Sequence, residues 1–260
     1  MESSEEAATA ALVIIGNEIL SGRTVDANLP YLARELNALG IPLLEARIVP
    51  DLEDRIVEAV NACRRRYTYV FTTGGIGPTH DDITAASIAR AFGRRLVRHP
   101  EAERRLRAYY PPEKINAARL KMADMPEGAQ LIDNPISTAP GFRVENVFVL
   151  AGIPKVMQAM FEGIRHRLEG GPPIVSRTVT LLAPEGEVAR LLADIQRDFP
   201  SVEIGSYPFF TFARPGTSVV FRSRDAAACE AASARLEEAA RARGIAIGGE
   251  AERDGAGEKR

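Results

Sequence analysis

The sequence predicts an α/β protein, with a mostly parallel sheet whose strands alternate with helices, followed by a small α+β domain. Three observations carry that expectation. Short uninterrupted apolar runs such as ALVIIG (11–16) and YTYVFTT (67–73) suit strands buried on both faces. Stretches with apolar residues at helical spacing separate these runs. A Gly/Pro break, EGGPP at 169–173, marks a boundary beyond which the order changes to β-α-β-β-α.

Taken in order, the first strand is 11–16, broken by Gly16. Residues 24–39 place Leu29, Leu32, Ala33, Leu36 and Leu39 on one helical face, with Gly40 as a C-cap. PLLEARIV reads as the second strand, and Asp51 or Asp54 can cap the helix that buries Ile56, Val57, Val60 and Cys63. YTYVFTT is the third strand, followed by a glycine loop and a helix over 83–92. Residues 90–121 hold eight arginines and two lysines against three glutamates, a local net of +7. Helices are expected there at 100–109 and 112–123, each with proline at a permitted first-turn position. Most of these charges read as a solvated face, with a few arginines as a possible rim to an anionic pocket. AQLI and NVFVLAG are further strands, and Val156, Met160, Ile164 and Leu168 mark a helix over 154–168. In the second module SRTVTLL, VEIGSY and SVVFRS are strands, and 185–198 and 226–243 are helices. That module has no cluster of chemistry-bearing side chains and reads as an interaction or assembly domain.

Composition narrows the function. The chain is 45% hydrophobic and 26% charged with a net charge of −2, which argues against nucleic acid as the main partner. Cys63 and Cys229 lack metal-site spacing and are expected as free buried thiols. No signal peptide and no run long enough to span a bilayer is found, so a cytoplasmic protein without membrane contact is expected. Residues 1–10 and the Gly-rich, charged 248–260 are expected to be disordered, flanking domains at 11–170 and 174–247. A homo-oligomer is expected.

The stretch 72–84, TTGGIGPTHDDIT, carries the strongest chemical signal. Gly74, Gly75 and Gly77 lie between a strand and a helix, at the carboxyl edge where open α/β sheets bind ligands. Backbone N–H groups there can approach a phosphate, and the helix N-terminus adds positive potential. No Gly-Lys-Ser/Thr ending is present, which excludes a Walker loop, and the spacing is not that of a dinucleotide fingerprint. Thr79 belongs to the same candidate substrate loop, and His80 reads as a loop residue. One of Asp81 and Asp82 can cap the following helix, but both cannot. A carboxylate pair beside an anion cradle is stable if a divalent cation bridges them, so both are candidate metal ligands. Asp51 sits at the same sheet edge, with a helix cap and a catalytic role both open. GNEILSG adds Asn17, Glu18 and Ser21, and Asn28 follows on the first helix. NPISTAPG adds Asn134, Ser137, Thr138 and Gly141, neutral groups suited to a ring or a ribose. Three such loops converging make a pocket. The chain has no Ser-His-Asp order, HExxH or CxxC.

Together, GNEILSG, TTGGIGPTHDDIT, NPISTAPGF and AGIPKVM resemble the MoaB/Mog-type molybdopterin-binding domain in its CinA-like version, over about 11–168. The second module resembles the middle domain of CinA, and GGIGPTHDD is especially similar to the corresponding half of FAD synthases. The resemblance implies a three-layer α/β fold and a pocket for a small-molecule pterin or adenylated diphosphate. It implies that Asp51 and Asp82 match aspartates essential in the molybdopterin adenylyltransferases. For CinA-like and FAD-synthase-like relatives it implies cleavage of ADP-ribose or FAD at the pyrophosphate, dependent on Mg²⁺, Mn²⁺ or Co²⁺. The expected catalytic set is Asp51, Asp81 and Asp82, with Asp51 and Glu18 as candidates for a second metal contact or a base and molybdopterin an alternative ligand. Ala151 and Val156 depart from the usual proline and glutamate of the CinA motif, so one acidic contributor is absent. Neither a deamidase domain nor a nucleotidyl-transfer domain is matched. The expected function is therefore a metal-dependent nucleotide pyrophosphatase, with adenylyl transfer to molybdopterin or non-catalytic binding as alternatives.

Overall fold

The computed structural model describes residues 7–210 and 215–248. The chain divides between Gly171 and Pro172 into two compact units. The first begins with strand β1 (Ala10–Ile15), a single turn α1 (Asn17–Leu20), helix α2 (Asn28–Ala38) and strand β2 (Leu43–Val49). It continues with α3 (Glu53–Arg64), β3 (Tyr69–Thr73) and α4 (Thr84–Ala91). An insertion follows, made of β4 (Leu96–Arg98), α5 (Pro100–Tyr109), α6 (Ala117–Lys121) and β5 (Asp124–Pro126). The unit closes with β6 (Gln130–Ile132), β7 (Gly141–Val144), β8 (Val147–Leu150) and α7 (Pro154–Ile164).

The main sheet runs β2-β1-β3-β8-β7-β6. Its first four strands are parallel, and β7 and β6 return antiparallel. The pleat sends alternate residues to opposite faces. Leu12, Ile14, Phe71 and Phe148 pack with Leu32 and Leu36 of α2 and Phe161 of α7. Val13, Ile15, Val70 and Val149 pack with Ile56, Val60 and Cys63 of α3 and Ile88 of α4. The result is the expected three-layer arrangement. Phe71 stacks on Phe148 at 5.3 Å and meets Phe161 edge-on at 5.8 Å. Burial of each such ring stabilises the fold by about 1.5–3 kcal/mol.

Several boundaries differ from expectation. The helix predicted from residue 24 starts at Asn28, because 21–27 form the turn out of α1. The helix predicted over 112–123 is a 3-10 turn, Pro112–Lys114, and the short α6. That predicted over 154–168 ends at Ile164 and passes into a 3-10 turn. Neither Asp51 nor Asp54 caps α3, whose N-cap is Leu52. Residues 7–10 also differ from the expected disordered segment: β1 starts at Ala10, and the Thr9 N–H donates to Thr68 Oγ1 at 3.1 Å. Residues 1–6 and 249–260 lie outside the described residues.

The second unit holds β9 (Val175–Leu181), α8 (Glu185–Asp198), β10 (Glu203–Phe210), β11 (Pro215–Ser223), α9 (Ala226–Ala242) and the short β12 (Ile247–Gly248). Its antiparallel sheet, β10-β11-β9-β12, buries Val179, Leu181, Val219 and Phe221 against Val188 and Ile195 of α8 and Leu236 of α9. Cys63 and Cys229 are both free and buried, as expected, and burial pushes both thiols above their ordinary range. Among the described residues no helix is long and apolar enough to cross a membrane.

Candidate active site

Because β1, β3 and β8 are parallel, the loops leaving their carboxyl ends meet at one edge of the sheet. They enclose a cleft of about 490 Å³. The loop after β3 contributes Gly74, Gly75, Gly77 and, at its far end, Asp82. Glu18 and Thr24 come from the segment after β1, Gly152 and Ile153 from the loop after β8, and Asn134 and Ser137 from the loop before β7. Ile76, Met122, Ala151 and Val156 add apolar walls. Such a volume, apolar lining and few convergent polar groups suit a small organic ligand.

The glycine loop folds tightly onto its own helix. The Thr84 hydroxyl donates to the Gly74 carbonyl at 2.9 Å, and the Thr84 N–H donates to the Gly75 carbonyl at 3.0 Å. Among the described residues, the N–H groups of Gly75, Ile76 and Gly77 have no hydrogen-bond partner. Three open donors before a helix N-terminus are what an anion cradle requires.

Neither aspartate of the pair caps α4, contrary to the sequence reading; the N-cap position is Ile83, with no side-chain bond. Asp82 instead accepts from Thr79, whose N–H donates to Oδ2 at 2.8 Å and whose hydroxyl donates to the same oxygen. Thr79 is thus tied to the cleft through Asp82. Asp81 does not line the cleft, and its side chain is 61% exposed next to His80.

The other predicted residues divide by role. Asp51 lies beside the first loop, where its Oδ2 accepts the Asn17 N–H at 2.9 Å. It anchors α1 and is not part of the cleft lining, and neither is the Asn17 side chain. Ser21 donates to the Glu18 carbonyl at 3.2 Å and also stays outside the lining. Asn28 sits in an adjoining recess, buried, with its Nδ2 donating to the Gly152 carbonyl at 2.9 Å. Asn134 lines the cleft, but its amide is used within its own loop. It donates to Ser137 Oγ and the Ala139 carbonyl, and accepts from the N–H groups of Ile136 and Ser137. Thr138 holds the turn at φ 66° and is not in the lining. Gly141 is a packing glycine; a Cβ there would lie 2.3 Å from both Met160 Cε and the Val149 carbonyl.

The arginines of 90–121 do not rim the cleft, whose lining contains none. Local carboxylates hold them: Arg90 pairs with Glu53 and Asp54, Arg95 with Glu127, Arg98 with Asp124, and Arg105 with Glu101 and Asp133. Lys121, not singled out in the sequence, donates from Nζ to the Thr79 carbonyl at 2.6 Å and braces the outer limb of the glycine loop. Its only sequence signal was membership of that basic stretch. Thr24 and Gly152 were also missed, and neither residue type marks a site by itself.

Comparison with known proteins places this geometry. Residues 11–170 match the probable molybdopterin binding domain family, and residues 173–247 match the FAD synthase middle domain. A protein from Archaeoglobus fulgidus is 37% identical over 87% of this chain and 96% of its own length. A CinA-like protein from Desulfosudis oleivorans is 38% identical over 75% of this chain, a match spanning 51% of that longer protein. The crystal structure of the protein CinA, of unknown function, from Thermoplasma acidophilum superposes with a TM-score of 0.59 at 33% identity, covering 62% of this chain and 98% of that one. The chain belongs to the molybdopterin-binding-domain family, as a CinA-like member.

Proposed function

We propose that this chain is a divalent-metal-dependent pyrophosphatase acting on an ADP-containing small molecule of the ADP-ribose or FAD type. The observation that carries the reading is the set of open N–H groups at Gly75, Ile76 and Gly77 in a cleft that also holds the Asp82 carboxylate. The donors suit a diphosphate, while the carboxylate opposes one unless a cation lies between them. The donor set fits a hard ion: a single carboxylate with phosphate oxygens and water is a usual Mg²⁺ environment. Asp82 is the residue that would hold it, and such an ion would neutralise charge on the phosphate. The exposed Asp81 is an outer partner at most.

The apolar walls at Ile76, Met122 and Val156 accept the rings at the ends of the ligand. Asp51 keeps α1 in place, and with it Glu18 at the cleft wall. In the reaction, water adds to one phosphorus and the P–O–P bridge breaks. The bridging oxygen leaves with the other phosphate, giving AMP and a second phosphate ester. Incubation with FAD or ADP-ribose and Mg²⁺, Mn²⁺ or Co²⁺ is expected to release AMP, and Asp82→Ala is expected to abolish that release.

A second reading is adenylyl transfer from ATP to molybdopterin at the same cleft, favoured by the description of the matched family. It predicts diphosphate release only when ATP and molybdopterin are both present, and no AMP from FAD.

A further inference from the structure

We propose that the recess between Glu18, Asn28 and Thr73 is a second hard-cation site, distinct from the Asp82 carboxylate. The recess, about 60 Å³, adjoins the cleft and shares Glu18, Gly74 and Gly152 with it. Its polar side chains are oxygen acceptors or hydroxyls: the carboxylates of Glu18 and Asp26, the hydroxyls of Thr24 and Thr73, and the amide of Asn28. No lysine, arginine or histidine lines it.

Two of these groups are buried without partners. Asn28 is 4% exposed, and because its Nδ2 donates to the Gly152 carbonyl, its free atom is the acceptor Oδ1. Thr73 is 1% exposed, and its Oγ1 is likewise unpartnered. Thr73 pairs with Ile14 in the sheet, and Ile14 packs on the same side as α2, the helix that carries Asn28. The third orphan, Thr72 Oγ1, pairs with Val13, whose side chain packs on the opposite face, and is no part of the recess. One oxygen of Asp26 is committed to the Leu29 N–H at 2.7 Å, whereas the Glu18 carboxylate has no hydrogen bond among the described residues.

Buried acceptors require donors or positive charge. A lone water would satisfy Asn28 and Thr73 but leave the Glu18 and Asp26 carboxylates without a counter-charge among the residues that line the recess. A hard divalent cation meets both needs, and carboxylate, amide and hydroxyl oxygens are the ligands such ions take. At about 60 Å³ the recess has room for an ion together with water. An ion there adds positive charge beside Gly74, where the phosphate loop begins.

Cation binding is measured without nucleotide, so its outcome is separable from that of the pyrophosphatase reading. The probe is Mn²⁺, titrated into the full chain and into Asp82→Asn, with free Mn²⁺ followed by electron paramagnetic resonance. Asp82→Asn is expected to retain one saturable Mn²⁺ site. Adding Glu18→Gln, at an exposed position, is expected to weaken that site at least about tenfold, and adding the isosteric Thr73→Val several-fold, with circular dichroism unchanged. Absence of a saturable site in Asp82→Asn, or an affinity unchanged by Glu18→Gln, overturns the proposal.

Discussion

At φ 100° and 66°, Gly74 and Gly75 hold backbone that L side chains rarely adopt. Added Cβ atoms would lie 2.1 Å from the Ile15 carbonyl oxygen and 2.2 Å from Thr84 Oγ1. Gly75→Ala is expected to cost about 1–3 kcal/mol, read by urea unfolding, because both the strain and the Thr84 contact oppose it. Asp51→Ala tests a different kind of contribution. It leaves the Asn17 N–H without its acceptor, and about 1 kcal/mol of stability should be lost in the same measurement. An unchanged midpoint in Asp51→Ala would remove its positioning role. At this scale the sequence was legible in part. Gly74, Gly75, Gly77, Asp82 and Glu18 do line the cleft, since loop placement follows from strand order. The separation of Asp82 from Asp81 was not legible, because neighbouring residues in a loop diverge according to backbone turns that composition does not encode. The inward-turned amide of Asn134 was hidden for the same reason.

The elements with clean periodicity were legible. The predicted 100–109 and 185–198 coincide with α5 and α8, whose apolar spacing and first-turn residues mark both ends. The hairpin of β7 and β8 was half missed. Its two-residue turn is Glu145–Asn146, with Glu145 at φ 51°, and lacks the Asn-Gly signature that would announce it. The basic stretch misled in another way, because most of its arginines find carboxylates, within α5, across β4 and β5, or on distant segments such as α3. In α5, Arg104 and Arg105 hold the Glu101 carboxyl at about 2, down from an ordinary 4.5. A carboxyl lowered on folding favours the folded state above its unfolded value, and the contribution fades as pH falls from 4.5 toward about 2. Glu101→Gln should therefore lower stability slightly at neutral pH and flatten the acid limb of a stability–pH curve within that window, the two curves converging toward its acid end. An identical acid limb in the variant would contradict the pairing.

On the scale of the whole molecule, each unit has its own core, two layers of packing in the first and one in the second. Residues 1–171 alone are accordingly expected to melt cooperatively, as followed by calorimetry, with ligand-induced stabilisation by ADP-ribose retained. A broad, ligand-insensitive transition would show that the cleft depends on the second unit. Under the proposed function, one carboxylate and one glycine cradle in one cleft support cleavage of a nucleotide diphosphate. The most direct measurement is AMP release from FAD and ADP-ribose by the full chain with Mn²⁺, beside Asp82→Ala matched in melting temperature. Under the proposed function AMP is expected from the parent chain and none from Asp82→Ala. AMP release at the parent rate from Asp82→Ala, or no AMP from the parent chain with Mg²⁺, Mn²⁺ or Co²⁺, would contradict it.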